Sequence, residues 1–137
     1  MDEKIIQFIK QMNLLTLGVI NEGVPYLSSC FYAYDEEKNS LFIASSKDST
    51  HIKAISNLDK VGICIALDTK IIGMIKGVQA SGVISLGDAR AKTVYFKRFP
   101  YALPLNPDIY EIKLSWVKYT DNALGFGKKL YWSKDQI

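Results

Sequence analysis

The run VPYLSSCFYAYDEEKNSLFIASSKDSTHIKAI, residues 24–55, sets the frame for everything on either side of it. Two segments rich in β-branched and aromatic residues, 24–34 and 41–45, flank the turn DEEKN, which predicts paired strands. The second strand passes into SSKDSTHIK (45–53), after which Ile52, Ile55 and Leu58 recur at helical spacing. A polar corner thus joins a strand to a short helix.

That corner holds His51, the chain's one histidine, together with Lys47, Lys53 and the hydroxyls of Ser45, Ser46, Ser49 and Thr50. A helix start offers unpaired N–H groups and the positive end of the helix dipole, so hydroxyls and cations gathered there suit an anion such as a phosphate monoester. The residues alone leave a second reading open: Asp48 or Ser49 caps the helix and the lysines are solvated. The glycine pattern of a P-loop is absent. A metal site is not expected, because His51 has no second histidine and no carboxylate cluster in register; as a general base it would need a partner that the sequence does not identify.

Outward from this frame, Ile5, Phe8, Ile9 and Met12 mark one face of an N-terminal helix capped by Asp2. LLTLGVI (14–20) precedes the turn residues Asn21 and Gly23 and pairs with the 24–34 strand as a hairpin. VGICIAL (61–67) is nearly continuous in apolar character, which predicts a strand buried on both faces. IIGMIKGVQASGVISL (71–86) reads as one long strand whose glycines permit bulges or bends. DARAKTVYFKR (88–98) reads as a helix capped by Asp88 and stopped by Pro100. YEIKLSWVKYT (110–120) alternates, with Tyr110, Ile112, Leu114 and Trp116 on one face and Glu111, Lys113 and Ser115 on the other. A turn at Gly125 and Gly127 leads to a last short strand. The order of elements predicts an α+β domain on an antiparallel barrel.

With 137 residues, nearly half of them hydrophobic, the chain suits one domain with its own core. Its 17 basic and 14 acidic residues are dispersed, without the basic stripe of a nucleic-acid binder. MDEKIIQFIKQMN is too charged for a signal peptide and no long apolar span exists, so a cytoplasmic protein is expected, with no membrane partner. Cys30 and Cys64 are expected to be buried, reduced thiols.

The succession VPYLSSCFYAYDEEKNSLFIAS, SKDSTHIKAI, KVGICIAL and IKGVQASGVI resembles the FMN-binding split barrels related to pyridoxamine 5'-phosphate oxidase. The tail IKLSWVKYTDNALGFGKKLYW is similar to that of the YhbP-like group within them, the more specific part being W-x-K-x-T-D-N followed by L-G-F-G-K-K-L. The resemblance spans nearly the whole chain. It implies a six-stranded antiparallel split β-barrel with short flanking helices, forming a homodimer with two FMN molecules in clefts at the interface.

The same resemblance implies that the FMN phosphate sits on Ser45, Ser46, Lys47, Ser49, Thr50, His51 and Lys53. Thr50 stands where the oxidases carry an arginine, which removes a bidentate phosphate clamp; Lys47 or Lys53 would then supply the charge. Ser28, Ser29 and Cys30 would lie along the polar edge of the flavin, on a strand that lacks the Arg and Lys of the oxidase pattern. Lys76 and Gln79 would approach the ring. Trp116 would reach the cofactor from the second subunit, and Lys128 or Lys129 would fall near a basic residue of the oxidase tail. Each position has an ordinary alternative: strand residues for 28–30, surface polar residues for Lys76 and Gln79, and core or interface packing for Trp116.

The function so implied is a small FMN-dependent oxidoreductase of unknown substrate, in which the flavin carries the redox chemistry and the protein binds and orients it. A phosphorylated pyridoxamine substrate is not expected, since the tail lacks the basic residues for a second phosphate. Two further readings stay open: a non-catalytic carrier of flavin or haem, and a structural dimer without cofactor.

Overall fold

The computed structural model describes residues 1–125 and 128–135. Helix α1 (Glu3–Gln11) starts at Asp2, whose carboxylate accepts from the Lys4 amide at 2.8 Å. It is followed by β1 (Leu14–Asn21), β2 (Val24–Asp35), β3 (Ser40–Ser45), α2 (Thr50–Ile55), β4 (Lys60–Ala66), β5 (Lys76–Leu86), α3 (Ala89–Arg98), β6 (Asp108–Asp121) and β7 (Lys129–Ser133), with 3-10 turns at Ile72–Met74, Pro100–Leu105 and Asn122–Leu124.

The strands pair antiparallel in the order β3-β2-β1-β4-β5-β6-β7, and β3 also pairs with β6. Six strands therefore close on themselves as a barrel, and β7 lies outside the closure. Strand β6 is long enough to serve two neighbours along one edge: Asp108 to Lys113 pair with β3, and Trp116 to Thr120 pair with β7. The interval between them splits the wall. The Leu114 amide donates to Asn39 O at 3.0 Å on one side of it, and the Lys134 amide to Ser115 O at 3.1 Å on the other.

The barrel interior follows from alternation. Leu15, Leu17 and Val19 of β1, Val61, Ile63 and Ile65 of β4, and Ile112, Leu114, Val117 and Tyr119 of β6 turn inward and are buried. Helix α1 closes one end with Ile5, Phe8 and Ile9, and the Tyr32 hydroxyl donates to Ile9 O at 2.6 Å. Helix α2 adds Ile52 and Ala54. A second, smaller core lies outside the wall, where α3 sets Ala91 and Tyr95 on Ala33, Phe42 and Ile109. Around it the polar groups are paired: Arg90 grips buried Asp35 at 2.6 and 3.0 Å, and the Ser40 hydroxyl donates to the buried Glu111 carboxylate at 2.7 Å. The Arg90 hydrogen bond holds the Asp35 carboxyl below its ordinary value.

Three local expectations are corrected. Residues 71–75 do not continue the long strand: the Met74 and Ile75 amides bond back to Ile71 O and Ile72 O, and the Asn122 amide and side chain hold Ile75 O and Ile72 O. Strand β4 is buried on one face only, because a barrel wall has a single interior; Cys30 is buried as expected, but Cys64 faces outward and is exposed.

The third correction concerns β6. Ser81 pairs with Trp116, but Gly82 pairs with Leu114, so Ser115 is an extra residue, a β-bulge. The alternation shifts by one there, Val117 takes the inward place, and Trp116 goes out, 39% exposed. Gly82 permits this, since a Cβ at that position would lie 2.5 Å from Lys113 O. Gly125, with φ +135°, carries the expected turn, and Gly127 lies outside the described residues. Among the described residues no helix is long and apolar enough to cross a membrane.

Candidate functional site

Helix α3 covers one part of the barrel's outer wall and leaves the rest bare. Across the bare part, register aligns two rows of outward side chains. Leu27, Gly18, Gly62, Ser81, Trp116 and Ser133 form one row, and Ser29, Thr16, Cys64, Gln79, Lys118 and Tyr131 the other. Small residues occupy the middle of this sheet. Larger apolar groups stand at its margins: Leu14, Leu27 and Phe31 on the β1–β2 side, and Trp116 with Tyr131, ring centroids 6.4 Å apart, on the β6–β7 side. A shallow surface of this composition accepts a flat body or a second sheet without steric conflict, and its exposed apolar margins favour being covered.

The Ser45–Lys53 corner lies at the end of β3. Ser45 Oγ stands 2.5 Å from His51 Nε2 and 3.3 Å from Ser49 Oγ, which is 3.4 Å from the same imidazole nitrogen. Ser49 occupies the cap position of α2, but its hydroxyl donates to Ser46 O at 2.7 Å and accepts no hydrogen bond from a helix amide. The expected cap bond is therefore absent, and the hydroxyls close a ring around His51. Burial holds the imidazole below its ordinary value, so it favours the neutral form.

Two hollows flank this ring. One, of about 380 Å³, is lined by Ser45, Ser46, Lys47 and Asp48 against Leu105, Asn106, Pro107 and Asp108. The other, of about 310 Å³, is lined by Thr50 and Lys53 with Ala54 and Asn57 against Ile20, Asn21 and Glu22. Ile20 has the outward parity of Gly18 on β1, so the second hollow opens at the end of the bare face. The structure thus gathers all seven corner residues at one place, divided between two sides of His51.

The remaining expected residues scatter. Of the β2 triplet only Ser29 points to the bare face. Cys30 is in the core, where burial pushes its thiol up. Ser28 turns its hydroxyl inward, buried and without a sound hydrogen bond, the adjacent Cys30 thiol being a weak partner. Gln79 is on the bare face. Lys76 is not: it has the inward parity of Val78 and lines a hollow at the α1 end with Tyr119 and Asp121. Lys128 is exposed just before β7, its carbonyl accepting from the Asp121 amide at 3.3 Å. Three or more groups able to hold a metal ion do not cluster among the described residues.

No family model matches the chain. A UPF0306 protein of Campylobacter jejuni is 39% identical over 135 residues, covering 98% of this chain and 99% of the relative. A UPF0306 protein of Yersinia pestis is 37% identical over 134 residues, covering 95% and 91%. The chain belongs to the UPF0306 family. Among solved structures, this UPF0306 chain is similar to a Clostridium acetobutylicum protein related to general stress protein 26, of the pyridoxinephosphate oxidase family, with a TM-score of 0.73 at 14% identity, covering 98% of both chains. An FAD-binding protein of Mesorhizobium loti gives 0.70 at 13% identity over 83% and 87%, and a heme-binding protein of Mycobacterium smegmatis gives 0.74 at 16% over 89% and 53%. At these identities the likeness establishes the fold, a six-stranded antiparallel split barrel of the pyridoxamine phosphate oxidase type.

The residues that sequence reasoning missed are those of the bare face itself: Gly18, Gly62, Ser81, Leu27, Phe31 and Tyr131. A signal for them exists. Glycine and small polar residues recur at alternate positions of β1, β4 and β5, where a wall packed on both sides would carry larger side chains.

Proposed function

We propose that this UPF0306 protein is a cytoplasmic homodimer that binds FMN, with the phosphate at the Ser45–Lys53 corner and the flavin ring along the bare face of β1, β2 and β4. The observation that carries the reading is the bare face, small in the middle and apolar at its margins, opening at the hollow of Thr50 and Lys53. Ser45, Ser49 and Thr50 offer hydroxyl donors to a phosphate, Lys47 and Lys53 offer charge, and His51 can donate once its ring of serines reorients. This donor set fits a phosphate monoester but lacks a bidentate guanidinium, so the affinity expected is moderate.

Bound FMN would supply hydride or electron transfer. The chain's part is binding and orientation: Ser29 and Gln79 lie where they can meet the polar edge of a flat ring, and Gly62, where a Cβ would meet nothing within 4 Å, lets it approach the backbone. The second subunit would cover the ring and keep water from it, with Trp116 and Tyr131 at the seam. Haem suits the chain less, because His51, its one imidazole, is held by Ser45 through Nε2.

The test is a titration of the purified protein with FMN, followed by absorption and fluorescence, with molar mass measured alongside. A dimer that retains flavin through desalting is expected, and Ser45→Ala with Ser49→Ala should weaken binding by about 2 kcal/mol, near thirtyfold in Kd. A colourless protein that retains no flavin would sink the proposal and favour a structural dimer. Anaerobic reduction of the bound flavin by NADH or NADPH then separates an oxidoreductase from a carrier.

A further inference from the structure

The split in the barrel wall contains a cleft of about 540 Å³, at the end of β3 opposite the Ser45 corner. Its lining brings together Lys38 from the β2–β3 turn, Lys113 from β6 and Lys134 from the end of β7, with Trp132, Ser115 and Asn39 between them. Three ammonium groups around one hollow repel each other, an arrangement that favours an anion among them. Asp88, 3.6 Å from Lys38, is the one acid in an ion pair with any of the three among the described residues. Lys113 and Lys134 have no ion pair among those residues.

The cleft is built rather than incidental. The bulge inserts Ser115 at the split, and the bulge depends on the close approach of Gly82 to Lys113 O. Bonds from the two strands that share β6 flank it: the Leu114 amide to Asn39 O and the Lys134 amide to Ser115 O. Trp132, half-buried against the barrel core, gives the cleft an aromatic surface, and Ser115 with Asn39 adds neutral hydrogen-bonding groups; the Asn39 side-chain oxygen Oδ1 already accepts from the Tyr34 hydroxyl at 2.9 Å, which leaves its side-chain Nδ2 as the donor. Cations, an aromatic wall and a few polar groups in a hollow of this size match a small aromatic molecule bearing a phosphate or carboxylate.

We propose that the split cleft is a binding site for an aromatic anion of about mononucleotide size, its charged group among Lys38, Lys113 and Lys134 and its ring against Trp132. The site stands apart from the flavin corner and does not depend on it.

The test uses the full chain, labelled with nitrogen-15, titrated with AMP, and in parallel with adenosine and with inorganic phosphate. Saturating shifts of the Trp132 indole N–H and the Ser115 amide are expected with AMP, with tenfold or greater weakening for adenosine, which lacks the charge, and for phosphate, which lacks the ring. Lys113→Ala with Lys134→Ala, both exposed and outside the core, should weaken AMP at least tenfold while leaving the remaining spectrum in place, and raised salt should weaken it further. Absence of saturating shifts at Trp132 with AMP would overturn the proposal, as would AMP shifts confined to Ser45–Lys53 or an affinity unmoved by the double substitution.

Discussion

The outer wall of this barrel is built in two ways. Where α3 lies on it, outward positions carry Phe42, Ile109 and Ala33, fully packed, and every buried acid is paired. Where nothing lies on it, the same outward parity carries Gly18, Gly62, Thr16, Cys64 and Ser81. The interior is continuous behind both. The difference is therefore not a demand of the barrel, which needs only its inward residues: one half is packed against a helix of the same chain, and the other is the surface that the proposed function gives to the flavin and a second subunit.

The sharpest way to break the comparison is to remove one large outward residue from each half. Phe42 is 0% exposed beneath α3, and its truncation would leave a cavity between helix and wall, so Phe42→Ala should cost about 4 kcal/mol of stability in urea denaturation. Leu27, 66% exposed at the margin of the bare face, should cost under about 0.5 kcal/mol when changed to Ala, and its effect should appear in molar mass instead. Equal destabilisation by the two would mean that the bare face is already a packed surface of the monomer.

Two glycines on neighbouring strands sharpen it further. A Cβ at Gly62 meets nothing within 4 Å, whereas one at Gly82 meets Lys113 O at 2.5 Å. Gly82→Ala should therefore cost about 3 kcal/mol by forcing the bulge apart. Gly62→Ala should stabilise the monomer by about 0.5 kcal/mol through the lost freedom of the unfolded chain. Gly62→Leu should fold and yet abolish dimerisation and flavin retention, because its side chain stands in the middle of the bare face. A Gly62→Leu protein that still dimerises and holds FMN would move both functions elsewhere.

What was legible in the sequence follows the range of the interactions involved. Helices α1 and α3, their aspartate caps and the hairpin of β1 and β2 rest on neighbours in the chain, and the periodicity of Ile5, Phe8 and Ile9 or the turn at Asn21 and Gly23 announces them. The apolar run of β4 could not say that only one face is covered, since that depends on whether a second layer exists. Simple alternation puts Trp116 on the inward face of β6, whereas the bulge, set by a contact with Gly82, a residue remote in sequence, turns it out. The corner's residue types were legible, but not that Ser45 and Ser49 would turn to His51. The lysines of the split are far apart in the chain, and only the shared edge of β6 brings them together.

The two halves also titrate differently, and the smallest effect lies there. On the covered side Arg90 lowers the Asp35 carboxyl, so its contribution to stability is full above the ordinary carboxylate value and is lost only in stronger acid. At the corner, burial lowers the His51 imidazole, so between its depressed value and the ordinary one of about 6.5 the unfolded chain binds more protons than the folded protein. This contribution to stability rises with pH through that window, is complete above it and is level at its lowest below it, where both states carry the proton. His51→Gln should remove this part of the slope. Flavin binding should run the other way: a phosphate beside His51 favours the imidazolium, binding takes up a proton, and affinity should rise as pH falls, with Lys47, Lys53, Asp48 and Asp108 as the fixed charges around it. A stability slope and an affinity slope of opposite sign, both flattened in His51→Gln, would place the phosphate against the imidazole. A flattened stability slope with an affinity slope unchanged would leave His51 a buried support of the corner and put the phosphate on the far side of its serines.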